Sequence, residues 1–171
     1  INMIRRYVKR RPFAKRNKYS VEQTSFSLIL PNLVADEDQN QLSKQTSINI
    51  VPPTEVQGMR KVKNITISLC SADNQSTDRS FFYALVYVPQ GYNVGILRTP
   101  RDNQAFNMYE ANQFVISCGV VDLSAGPQRI FTRLSRNLNS GDNIYLILKQ
   151  ATSSLPAFPV QGVVTYAITL Q

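Results

Sequence analysis

RKVKNITISLC (Arg60 to Cys70) sets Ile65, Ile67 and Leu69 against Asn64, Thr66 and Ser68 in strict alternation. Period two puts apolar side chains on one face of an extended chain and polar ones on the other, which is the pattern of a half-buried β-strand. The same pattern spreads in both directions. Upstream, Tyr19 to Leu30 ends with Phe26, Leu28 and Leu30 opposed to Ser25 and Ser27, and Thr46 to Val51 alternates Ile48 and Ile50 with Ser47 and Asn49 before Pro52-Pro53 stops it. Downstream, FFYALVYV (Phe81 to Val88) is apolar on both faces, which predicts a central strand covered on both sides. Further strands are predicted at Asn112 to Val121, Gln128 to Asn137, Asn143 to Lys149 and Gly162 to Leu170, with a turn at Asn139-Ser140-Gly141-Asp142 where Gly141 is free to take positive φ.

Eight predicted strands and no sustained helical periodicity make the chain all-β. Long connections in place of uniform tight hairpins favour two packed antiparallel sheets, an eight-stranded jelly roll, over an up-and-down barrel, and an OB-fold needs only five strands. Residues 31–45, 71–80, 89–111 and 150–161 are the expected long loops. They carry few charges and suit contacts with neighbouring subunits. No internal repeat is present.

Charge is distributed unevenly along the 171 residues. Arg5, Arg6, Lys9, Arg10, Arg11, Lys15, Arg16 and Lys18 fall in the first eighteen residues with no acid among them, while the remaining Lys and Arg equal the Asp and Glu in number. The expected organisation is therefore a basic, partly disordered arm over 1–18 and one folded domain over 19–171. An arm of this kind repels itself until a polyanion arrives, and these eight cations are the candidate nucleic-acid-binding residues. Tyr7, Phe13 and Tyr19 are interleaved with them, so phosphate contacts can be joined by base stacking, giving salt-sensitive binding almost blind to sequence. Lys9-Arg10-Arg11 and Lys15-Arg16 also fit a nuclear localisation signal. Arg60, Lys61 and Lys63 form a second basic cluster at the start of a strand; Lys61 and Lys63, on the same face, either extend the cationic surface or guard a strand edge.

The chain contains no histidine, which removes Ser-His-Asp and Cys-His catalysis and His-containing zinc sites. No phosphate loop, dinucleotide fingerprint or CxxC pair occurs. The acidic run Asp36-Glu37-Asp38 reads as a solvated loop face or a weak site for a hard divalent cation. No catalytic residue, metal or cofactor is expected, and the protein is not read as an enzyme. Cys70 and Cys118 are expected as buried free thiols. Asn64-Ile-Thr66 and Asn74-Gln-Ser76 match the glycosylation sequon, but such short matches arise by chance and no secretory signal accompanies them. No window approaches about twenty apolar residues and no signal-peptide pattern is present, so a soluble protein of intracellular origin without membrane insertion is expected.

GMRKVKNITISLCS (Gly58 to Ser71), FVISCGVVD (Phe114 to Asp122) and above all RLSRNLNSGDNIYLILK (Arg133 to Lys149), behind an Arg-rich N-terminus, resemble capsid proteins of small circular single-stranded DNA viruses of the circovirus-like group. The resemblance implies a self-assembling jelly-roll subunit, about sixty copies of which close a small icosahedral T=1 shell. It implies arms turned inward on a packaged single-stranded DNA genome, supplying about 480 positive charges per shell. The implied partners are other copies of the chain, the DNA and the host nuclear import machinery, and the implied locations are the virion and, during assembly, the host nucleus. Two further designs share the arm and the β-body: a non-capsid nucleic-acid-binding β-protein, and the capsid of a small RNA satellite virus. A secreted trimeric cytokine-like ligand lacks support from any signal or anchor.

Overall fold

Alternation in the sequence becomes nine β-strands in the computed structural model, which describes residues 18–31, 45–72, 79–95, 114–150 and 157–170. They are β1 (Ser20–Leu30), β2 (Thr46–Val51), β3 (Arg60–Ser71), β4 (Ser80–Val88), β5 (Val115–Asp122), β6 (Gln128–Thr132), β7 (Arg136–Leu138), β8 (Asn143–Gln150) and β9 (Phe158–Leu170). One sheet has the order β1-β9-β3-β6, with β7 also on β3, and the other has the order β2-β8-β4-β5. All pairings are antiparallel.

The first strand pairs with the last, the second with the second from last, β3 with β6 and β7, and β4 with β5. A long antiparallel hairpin rolled into two sheets has this pairing, so the chain is a jelly roll.

The ninth strand corrects the count of eight. Gln128 to Asn137 was expected as one strand, but it is interrupted at 133–135 and both pieces lie on β3. Both ladders of β3 are irregular here: Asn64 takes φ +54° where the β3–β9 register shifts between Lys63 and Thr66, and on the other side the pairing jumps from Ile65–Thr132 to Val62–Arg136, leaving one extra residue between β6 and β7. An extra residue in one strand bends it and breaks the ladder to its partner, and Asn tolerates the left-handed region better than most residues. The expected loop at 150–161 is also shorter at both ends, because β8 runs to Gln150 and β9 begins at Phe158. Pro159 and Gly162 disguised that start. Pro is tolerated near a strand's beginning, and Gly162 is required by close approach: a Cβ there would lie 2.6 Å from Phe26 Cζ and 2.8 Å from the Ser68 carbonyl.

The inward faces of the two sheets share one core that includes Leu30, Ile67, Leu69, Phe81, Leu85, Leu146, Leu148 and Val164. Phe81 and Phe158 meet within it at a centroid distance of 6.4 Å. β4 is covered on both sides as expected. On its other face Ala84, Val86 and Val88 join Ile147 in a second buried cluster against Phe82, Val94, Val115 and Tyr145. The cysteines differ from expectation: both are free, but Cys118 is exposed and Cys70 only half-buried. Parity explains Cys70, since Leu69 beside it takes the inward position.

Asp142 ties one end of the sandwich together. It is 3% exposed. Its Oδ2 accepts from the Asn139 N–H (2.7 Å) and the Tyr87 hydroxyl (2.8 Å), its Oδ1 from the Gln90 N–H (3.1 Å), and its carbonyl from Arg60 (3.2 Å). The preceding Gly141 has φ +82° and donates its N–H to the Thr54 carbonyl. A Cβ on Gly141 would sit 2.5 Å from Gln90 Cγ. Gly141→Val should therefore cost about 1–3 kcal/mol through backbone strain, with added crowding, and lower the soluble yield; an unchanged denaturation midpoint would show that the turn does not need this conformation.

Burial, followed by its hydrogen bond to Asp142, pushes the Tyr87 hydroxyl up to about 12 from an ordinary value of 10.0. A raised folded-state pKa means that Tyr87 contributes stability fully present below pH 10 and lost as the pH climbs through about 12. Tyr87→Phe should flatten the loss of stability over that window relative to the unsubstituted protein, measured by urea denaturation at stepped pH; parallel curves would remove Tyr87 as a contributor.

Candidate nucleic-acid interface

The arm's cations Arg5, Arg6, Lys9, Arg10, Arg11, Lys15 and Arg16 lie outside the described residues, as do Tyr7, Phe13 and the acidic run Asp36 to Asp38. Lys18 is described and exposed. Two residues later the chain enters β1, an edge strand, with Ser20 opposite Ile168 and its hydroxyl donating to the Ile168 carbonyl at 3.3 Å. The arm is thus tethered to a sheet edge by backbone pairing. It departs from the end of the sandwich where β1 starts and β9 stops.

Tyr19, read as a stacking ring of the arm, already has a cation over it: Lys63 Nζ lies 3.6 Å from the ring centroid. This contact joins the arm's last aromatic to the second basic cluster. Within that cluster the three residues separate. Lys61 and Lys63 occupy the outward parity of β3 and remain half-exposed, whereas Arg60 faces inward with Val62 and is 7% exposed. Arg60 donates to the Pro52 carbonyl at 3.0 Å and to the Asp142 carbonyl at 3.2 Å. Burial pulls its pKa below the usual arginine value, against the nearby Tyr166 and Asp142, which raise it. Arg60 is therefore a structural cation, and the shared face expected for Lys61 and Lys63 is the one the strand's alternation gives them.

Sequence reading missed Arg129. It follows Gln128 on β6, where Ile130 and Thr132 are buried while Arg129 and Phe131 are exposed. The signal was present in QRIFT as a cation and an aromatic sharing one parity, opposite an isoleucine. The Arg129 guanidinium lies 5.8 Å from the Phe131 ring centroid. A different buried cation, Arg79 before β4, lies 5.8 Å from the Phe158 ring and donates to the Ser71 hydroxyl. It belongs to the core margin and not to this surface. Among the described residues, no three His, Cys, Asp or Glu gather into a potential metal group, and no helix is long and apolar enough to cross a membrane.

No protein-family model matches the chain, and no curated protein matches it. Among solved structures, the chain is similar to one described as the structure of infectious bursal disease virus, Gx strain, at 8% identity and a TM-score of 0.38, over 91% of this chain and 32% of that one. It therefore spans about a third of that chain's length. It is also similar to a structure of Desmodium yellow mottle tymovirus at 12% identity and a TM-score of 0.34, over 96% of this chain and 95% of that one. At these identities and TM-scores, neither likeness carries the role of those particles to this chain.

Proposed function

We propose that this protein is a viral capsid subunit that assembles into a small icosahedral shell, of T=1 geometry with about sixty copies, around a single-stranded DNA genome. The observation that carries the reading is the joint between arm and body: eight cations without an acid lead straight into the edge strand of a jelly roll whose own charges balance. A nucleic-acid-binding tail needs only a polyanion, and a two-sheet jelly-roll body is the piece that can tile a surface. The sequence resemblance to circovirus-like capsid proteins supports the same assignment. In this reading residues 1–18 are the genome-binding arm and 19–171 the shell domain. The arm also serves as a nuclear import signal, so assembly takes place in the host nucleus and the mature protein resides in the virion. The role is structural, without catalysis.

The purified protein should form uniform closed particles by electron microscopy, with absorbance at 260 nm in excess of its protein content. Sequencing the released nucleic acid should return single-stranded DNA; RNA would move the assignment to a satellite-type shell. A monomer or small oligomer that still binds oligonucleotides would overturn the capsid reading in favour of a non-capsid binding protein. Deleting 1–18 should leave the far-ultraviolet circular dichroism of the body intact and abolish nucleic-acid retention. In the full chain, raising salt should release bound nucleic acid steeply, and flat retention would contradict a phosphate-dominated contact.

A further inference from the structure

The two sheets treat their outward faces differently. That of the β2-β8-β4-β5 sheet is apolar and buried at Ala84, Val86 and Ile147. The outward positions of the β1-β9-β3-β6 sheet are mostly small and polar, and the strand register places them in rows. One row runs Ser25, Val163, Ser68 and ends on Arg129. The next runs Gln23, Thr165, Thr66 and ends on Phe131. Beyond the β3 bulge, Lys63 stands opposite Ala167, and Lys61 stands opposite Thr169.

No Asp or Glu occupies any of these positions. The carboxylate of β1, Glu22, has the opposite parity and lies near Tyr166, whose hydroxyl pKa it helps to raise after burial. Asp122 shares the neighbouring edge groove with Arg129 and Phe131, but it belongs to β5 of the other sheet. There it accepts from the Ser124 N–H at 2.8 Å and from the Ser124 hydroxyl, bonds that hold its carboxyl below the usual range.

We infer that this outward sheet face is a second binding surface for single-stranded nucleic acid, continuous with the arm. The inference rests on the proposed function, since it assigns the same polyanion to a different part of the subunit. Lys61, Lys63 and Arg129 supply phosphate contacts, and Phe131, 47% exposed, supplies a stacking platform at the end of a row of small side chains. A shallow groove of about 570 Å³ beside Arg129's row, floored by Ser25, Ser68, Gly162 and Val163, admits a base without competing bulk. Lys63 over the Tyr19 ring makes the path from arm to face continuous. Charge complementarity selects the occupant: a sheet face with cations and no carboxylate at its outward positions repels a second copy of itself and attracts the arm's own ligand.

The test uses the full chain and a fluorescent oligothymidylate of about twenty nucleotides, a length spanning several phosphate contacts. Binding is measured across a salt series for the unsubstituted protein, three charge variants and Phe131→Leu. In one, Lys61, Lys63 and Arg129 are changed to Ser. In the second, the same charge change is made elsewhere by Ser47→Asp, Val56→Asp and Tyr92→Asp, and in the third Arg5, Arg6, Lys9 and Arg10 are changed to Ser. The face variant should lower the slope of log K against log salt by about 2, at about 0.7 per lost phosphate contact, and the displaced-charge variant should leave it unchanged. Phe131→Leu should weaken binding by about tenfold at constant slope. A face variant with the slope of the unsubstituted protein, beside an arm variant that loses binding, overturns the second surface and leaves the capsid reading standing. An unsubstituted protein that does not bind at all overturns both. Photo-crosslinking of the unsubstituted protein to a bromouridine-substituted strand gives a readout independent of any variant's folding. Crosslinks in the peptide containing Phe131 are expected, and crosslinks confined to residues 1–19 would refute the face.

Discussion

The pairing of β1 with β9 is the constraint on which the rest of the molecule depends. Its register is unbroken from Ser20 opposite Ile168 to Leu30 opposite Phe158. β9 lies between β1 and β3, so the strand made last occupies the interior of the first sheet. Until it is in place, β1 has no partner in that sheet, and the core loses Phe158, Val160, Val164 and Tyr166 together. Non-local closure of this kind is entropically slow to reach, and it makes the sandwich cooperative once formed. It also brings the start of β1 beside the end of β9, which determines where the basic arm leaves the body.

A buried polar cluster holds the same end. Asp142 and Arg60 connect the β2–β3 connection, the start of β3, the end of β4 and the β7–β8 turn through four hydrogen bonds centred on Asp142 and a fifth from Arg60 to the Pro52 carbonyl. Buried charges are tolerated where their hydrogen bonds are made, and removing one partner strands the others. The turn at Gly141 is therefore more than a reversal of direction, because it delivers the carboxylate on which Tyr87, Gln90 and Asn139 converge. A cation near the arm has been taken into the architecture, while its neighbours Lys61 and Lys63, of outward parity, stay half-exposed.

The contrast between the two outward faces gives the subunit a polarity. One face is apolar and covered, with Val94 from the β4–β5 connection packed on it, and the other is a nearly flat field of Ser, Thr, Gln and Val edged by cations. A sheet with one solvated face and one core face is usual for antiparallel structure. Among the described residues, the outward positions of this face hold no carboxylate: Glu22 has the inward parity of β1, Asp122 belongs to β5 of the other sheet, and Glu55 and Asp142 lie in the β2–β3 and β7–β8 connections. That segregation gives a folded surface the same electrostatic preference as the arm.

Much of this was legible in the chain alone. Period-two alternation located the strands to within a few residues, the lack of helical periodicity set the class, the apolar run Phe81 to Val88 announced a strand covered on both faces, and Gly141 marked its turn, because each is a local property of backbone and side chain. Alternation could not show that the β3–β9 register shifts at Asn64, that β6 and β7 are separate strands, that β9 continues past Pro159, or that Cys118 is exposed, since those depend on register against a distant partner. By itself the sequence determined an all-β body with a cationic arm and no histidine-based chemistry. Only the tertiary structure decided which cations share a surface: Arg60 turned inward to Asp142 while Lys61, Lys63 and Arg129 came together from strands 66 residues apart along the chain at Lys63 and Arg129. The physical reason is that a side chain's face follows from strand parity, but its neighbours follow from pairing between segments that the sequence separates.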